Sequence, residues 1–333
     1  MRMRRRDFIT LLGRVAAAWP LAGRAQQGEQ ARRIGLLMAY DESDPEAKSL
    51  VSVFTQGLSE LGWSTGGNVH LEIRWAAGDV AQMQVLAKEL VDVRPDVILA
   101  NSTPVTAALQ QATRTIPIVF VVVADPVGSG FVASLPRPGG NITGFINEEA
   151  ATVGKRLELL KDIAPAVKRA AIIFNPDTAA GQGSYYLPAF EMACRSLNLE
   201  PIVAPIHSDH DIQLVIDGVG RNPGGGIVAM NDGFLFVHRE QIIAAANQRK
   251  VPAVYGDATF ARDGGLLGYG PDRKDIFRRA AKYGDRLLRG EKPAELPVQL
   301  PVKFNMAVNT KAAKAIGLAL PATLLALADE VIE

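Results

Sequence analysis

The chain has 333 residues, with 36 Lys and Arg against 35 Asp and Glu for a formal charge of +1, 48% hydrophobic residues and one cysteine. That length exceeds one ordinary domain, so two lobes are expected, and the balanced charge excludes a nucleic-acid partner held by a basic face. A lone cysteine excludes an intrachain disulfide, and no uninterrupted apolar run approaches the roughly 20 residues that cross a bilayer.

Residues 1–25 read as a twin-arginine-like signal peptide. Arg4-Arg5-Arg6-Asp7-Phe8-Ile9 supplies the arginine pair, Leu11 to Ala22 an apolar stretch, and Gly23-Arg24-Ala25 a small-x-small cleavage pattern. Arg24 stands where a lipoprotein signal places its cysteine, so the expectation is a protein free in the periplasm without a lipid anchor. The leader holds six arginines and one aspartate, which leaves a formal charge of −4 on the remainder.

Short β-rich runs then alternate with amphipathic helical patterns, the grammar of βα units on a mostly parallel sheet. Ile34 to Ala39 is a strand, and Asp44-Pro45-Glu46 opens a helix with a cap, a first-turn proline and an acid near the positive helix end. Val69 to Trp75 is the second strand, Val80 to Leu90 a helix, Asp96 to Ala100 the third strand, Pro104 to Thr113 a helix and Pro117 to Ala124 the fourth strand. Pro136-Arg137-Pro138-Gly139-Gly140-Asn141 reads as a surface loop near a crossover. The pattern restarts with strands at Ala170 to Phe174, Glu200 to Ala204, Gly226 to Met230 and Val251 to Tyr255, separated by helical stretches. Leu266 to Tyr269 is a Gly-rich strand, Asp272 to Leu288 a helix, Val298 to Val302 a strand and Asn309 to Ile316 a helix. The reading is α/β with two similar lobes joined by a multi-strand hinge: 31–146 with 262–298, and 147–261 with 299–330.

Open parallel sheets bind ligands at the carboxyl ends of their strands, and there this chain carries Tyr40, Asn101-Ser102-Thr103, Asp125, Asn175, Asn231-Asp232 and Asp257. Amides and hydroxyls near helix starts suit a carboxylate, and Asp125, Asp232 or Asp257 suits an ammonium or hydroxyls. Tyr40, Tyr185, Tyr186, Phe234, Phe236 and Tyr255 stand nearby as possible stacking partners. Catalytic and cofactor signatures are weak. Gly128-Ser129-Gly130-Phe131-Val132-Ala133 follows the fourth strand and Pro136 stops it too soon for a dinucleotide fingerprint. His207-Ser208-Asp209-His210-Asp211 reads as a helix-capping loop rather than a metal site, and Gly181-Gln182-Gly183-Ser184 lacks a nucleophile elbow. No cofactor, metal or catalytic residue is expected.

Arg33 to Tyr40, Ile116-Pro117-Ile118-Val119-Phe120 with Asp125-Pro126-Val127, Leu135 to Gly144, Asn175-Pro176-Asp177 and Asn309 to Leu318 together resemble the ABC transporter substrate-binding family whose known ligands include tryptophan and phenylalanine. The resemblance spans about residues 31–325. It implies a type I periplasmic binding fold of two Rossmann-like lobes that close on a small molecule, an amino acid or an aromatic or carboxylate compound, and deliver it to a membrane permease; the chain is expected to act as a monomer. The positions it places at the ligand are Tyr40, Asn101, Ser102, Thr103, Asp125, Asn175, Asn231, Asp232 and Asp257, with Tyr255 beside them. The loop Tyr40-Asp41-Glu42-Ser43 departs from the tryptophan-binding pattern, so that ligand is not carried over. The competing readings are an exported hydrolase or isomerase using the same cleft, and a sensor that hands its closed form to a membrane receptor.

Overall fold

A computed structural model describes residues 31–333; the leader and its cleavage pattern lie outside the described residues. Five parallel strands form the first sheet: β1 (Arg32–Met38), β2 (Val69–Trp75), β3 (Val97–Asn101), β4 (Ile118–Val123) and β5 (Ile142–Ile146), in the order β2-β1-β3-β4-β5. Every residue of β3, β4 and β5 is buried, as parallel strands covered on both faces require. Between them run α1 (Pro45–Glu60), α2 (Val80–Asp92) and α3 (Thr103–Ala112). Asp44 accepts from the Glu46 and Ala47 amides, and Asp79 from those of Ala81 and Gln82, so two otherwise orphaned helix ends are satisfied locally.

The second sheet holds β6 (Arg169–Phe174), β7 (Glu200–Pro205), β8 (Gly225–Ala229), β9 (Ala253–Tyr255), β10 (Leu267–Pro271), β11 (Phe304–Asn309) and β12 (Glu330–Ile332), ordered β12-β11-β10-β9-β8-β6-β7. All its pairings are parallel except β10 with β11. Its helices are α4 (Thr152–Ile163), α5 (Leu187–Ser196), α6 (Asp209–Gly220), α7 (Gly233–Val237), α8 (Arg239–Gln248) and α9 (Ala258–Arg262). Three later helices follow: α10 (Arg273–Leu288), α11 (Thr310–Ile316) and α12 (Ala322–Leu327).

The chain passes between the sheets three times. The first passage follows β5. The second follows β10 at Asp272, after which α10 packs on α1 and against β3, β4 and β5. The third follows α10, along a segment whose Gln299 amide donates to Gly144 O and whose Gln299 carbonyl accepts from Ile146 N before β11 begins. The sequence placed the second passage at 262, but β10 pairs with β9 and β11 inside the second sheet, so the return comes ten residues later. The expected strand Val298 to Val302 is a single bridge at Gln299, because Pro297 and Pro301 each remove a ladder donor. β5 and α4 had no counterpart in the sequence reading.

Candidate functional site

Strand carboxyl ends from both sheets face one another, and a cleft of about 840 Å³ opens between them. Its walls include Thr103, Ser129 and Phe131 from the first lobe and Asn175, Asp177 and Phe234 from the second. Two aromatic side chains on a mostly apolar wall with a few polar groups are what a small-molecule site needs.

Thr103 and Asn175, two of the strand-end residues named from the sequence, line this cleft. Ser102, just before α3, holds φ 95° and ψ 162° with no side-chain capping bond. That conformation is sparsely populated for any residue but glycine, and its Oγ is buried without a partner. Val122, at a register irregularity between β4 and β5, is likewise in the left-handed region at φ 59°. Ser102 directly precedes Thr103 of the cleft wall and Val122 lies one residue before the end of β4, positions where structural strain is commonly kept for a functional geometry.

Asn101 accepts from the Ala39 amide through Oδ1, and its Nδ2 has no partner. Asn231 accepts from Arg273 Nη2 at 2.8 Å and leaves its own Nδ2 free. Asn147 donates to Asn231 O at 3.2 Å while its Oδ1 is unpaired. Tyr255 lies stacked on Phe260 at 4.7 Å, fully buried, with an unpartnered hydroxyl whose ionisation burial opposes. Arg273 Nε approaches Asp257 Oδ2 to 2.7 Å but out of hydrogen-bond alignment. Buried polar atoms are nearly always satisfied, and the ones without a protein partner concentrate here at the strand ends and the first passage.

The carboxylates differ from the expectation in what already occupies them. Asp125 accepts from Gly128 N at 2.8 Å and shapes its own turn. Asp257 caps α9 through Thr259 N and pairs with Arg273. Asp232 accepts from the Asn175 and Leu235 amides and from Thr178 Oγ1, yet burial outweighs these donors and pushes its carboxyl up to about 6. Its folded value therefore lies above the unfolded one, so between about pH 4 and 6 the native state binds more protons and stability falls as pH rises. The Asp232 contribution should drop by on the order of 3 kcal/mol across that window. Chemical unfolding of wild type and Asp232→Asn at pH 4 and pH 7 measures it as the change in their difference; an unchanged difference would overturn the assignment.

Tyr40 is buried between the lobes, its ring 4.8 Å from Phe236 and its hydroxyl 3.2 Å from Arg273 Nη1. Arg273 was not singled out from the sequence, although a cation in the first turn of a helix opposes the macrodipole and signals another use. His207, read there only as a loop residue, lines the cleft. Among the described residues no three His, Cys, Asp or Glu side chains cluster as metal ligands, and no helix is long and apolar enough to cross a membrane.

The family model for ABC transporter substrate binding proteins matches residues 42–332. A tyrosine-binding protein of Clostridioides difficile (strain R20291) is 26% identical over 264 residues, 79% of this chain and 75% of that protein. Among solved structures, a conserved domain protein from Vibrio cholerae O1 biovar eltor has a TM-score of 0.84 at 28% identity, over 90% of this chain and 99% of that one. An ABC domain from Streptococcus pneumonia in complex with L-Trp has a TM-score of 0.83 at 23% identity, over 91% of this chain and 100% of that one.

Proposed function

The chain belongs to the ABC transporter substrate binding protein family, and from that premise we propose that it captures an amino acid or an aromatic carboxylate between its lobes and presents it to a membrane permease. Its fold is that of type I periplasmic binding proteins, and its relatives are solute-binding proteins rather than enzymes. The observation that carries the reading is the set of buried, unpartnered polar groups on Asn101, Ser102, Asn231 and Tyr255 at strand ends of both sheets, together with a cleft between the sheets that Phe131, Phe234 and Thr103, next to Ser102, help to wall. Donor amides and hydroxyls answer a carboxylate, and the two rings answer an aromatic body. The tyrosine-binding relative and the structure holding L-Trp support an amino-acid-type ligand. Catching the ligand draws the lobes together, and the permease reads the closed pair. The protein does this as a monomer in the periplasm, exported by its leader. Asn101, Ser102, Thr103 and Asn175 meet the polar end of the ligand. Tyr40, Asp125, Asn231, Asp232, Tyr255 and Asp257 order the strand ends around it.

A thermal-shift screen of L-tyrosine, L-tryptophan, L-phenylalanine and their deaminated analogues tests this. A true ligand at a hundred times its Kd adds about 2.7 kcal/mol of stability and raises Tm by several degrees. Phe234→Ala should then weaken binding by about tenfold or more, through the loss of a stacking wall. No shift with any of these compounds would remove the reading.

A further inference from the structure

Outside the residues that line the cleft, the lobes meet at a second contact. Its centre is Phe236 of α7, fully buried, with two guanidinium groups over its ring: Arg273 at 4.0 Å and Arg239 at 4.6 Å from the centroid. The Tyr40 ring of the first lobe packs against the same side chain. Arg239, in the second lobe, reaches across to Asp44 at the start of α1 with a separation of 2.6 Å. Arg273, on the helix that packs against the first lobe, reaches the other way to Asn231 and Asp257. None of Tyr40, Asp44, Phe236, Arg239, Asp257 and Arg273 lines the 840 Å³ cleft.

The ends of the Asp44–Arg239 bridge are each held within their own lobe as well. Asp44 keeps Oδ1 for the Glu46 and Ala47 amides and offers only Oδ2 to Arg239. Arg239 keeps Nε for Asp263 at 2.6 Å, and its Nη1 also donates to Phe236 O. Parting the lobes at this bridge therefore leaves neither of its ions without a partner, whereas a buried pair with no second partner would be stranded. A contact whose charges stay satisfied in both positions suits repeated making and breaking.

We propose that this Asp44–Arg239 bridge, with the Arg239–Phe236–Arg273 stack behind it, is a latch that sets the closing equilibrium and thereby the ligand affinity without contacting the ligand. The proposal rests on the reading of the protein as a closing receptor. A closed-state contact lowers the apparent Kd by raising the fraction of the chain already competent to hold the ligand.

Asp44→Asn tests it, because asparagine caps a helix as well as aspartate while removing the charge that faces Arg239. The variant should keep the ligand-free Tm of the wild type, show a larger radius of gyration by small-angle scattering without ligand, and bind the L-tyrosine or L-tryptophan probe about tenfold more weakly through faster release. Arg239→Met should give the same affinity loss, and the double variant no more than either single one, as one shared contact requires. An unchanged radius of gyration in Asp44→Asn would overturn the latch, as would an affinity loss accompanied by a matching fall in ligand-free Tm. Scattering is read without ligand, so failure of every probe to bind wild type would count against the receptor reading, while the compactness of the two proteins still decides the latch.

Discussion

Replacing Arg156 by alanine is expected to lower the unfolding free energy by about 3–5 kcal/mol, the cost of removing one member of a buried ion pair. Arg156 on α4 and Glu148 are both fully excluded from solvent, and the guanidinium meets the carboxylate through two nitrogens. Its Nε also donates to Tyr269 O at 3.0 Å. Glu148 lies on the first passage between the lobes, directly after β5, and Tyr269 lies on β10, which leads into the second. A single side chain therefore ties two of the three passages to the second lobe. Truncation leaves the Glu148 carboxylate buried without its cation and frees Tyr269 O from a donor. Replacing both partners by apolar residues removes the stranded charge, so Arg156→Met with Glu148→Leu should lose less than Arg156→Ala alone. Urea unfolding at pH 7 measures both; a loss below about 1 kcal/mol for Arg156→Ala would mean that water reaches Glu148.

Arg156 also marks where the sequence stopped speaking. In the helix Thr152 to Ile163 it looks like any basic residue, and only Glu148 on the passage and Tyr269 O, 113 positions further on, make its burial tolerable. The parallel sheets and the cap at Asp44 were readable because their causes are local: continuous apolar runs, and an Asx side chain just before the first helical turn. β5 was hidden because its partners are distant. Thr143 is buried only because its hydroxyl donates to Leu296 O, and Gly144 receives the Gln299 amide. The strand-end polar residues could be foreseen from the topology of open α/β sheets, but not which of them would reach the cleft. That is decided by the opposite lobe, which sets Asn231 against Arg273 and leaves Thr103 and Asn175 at the opening.

Gly270→Ala is expected to destabilise the protein by about 3–5 kcal/mol and to weaken ligand binding in the same variant. Gly270 lies on β10 beneath the turn that joins β9 to α9. A methyl group there would overlap the Gly256 carbonyl oxygen and come within 2.8 Å of its carbon. At Gly268 the obstacle is again backbone, with Ala258 Cα 2.8 Å from the added atom. Side chains can rotate out of the way, but a backbone in a fixed sheet cannot, so the turn itself must lift. It carries Asp257, and lifting it pulls the carboxylate from Arg273 and disturbs Tyr255 at the end of β9. Glycine at 270 is thus a requirement of the site's frame as well as of the strand. Gly218→Ala is the matching control. That residue lies in α6 with nothing within 4 Å of the new methyl, and there the lost backbone freedom should stabilise by about 1 kcal/mol. The same chemical change should therefore move Tm in opposite directions at the two positions. A Gly270→Ala protein that melts with wild type would show that the β9 turn yields freely and that close approach is not what demands glycine there.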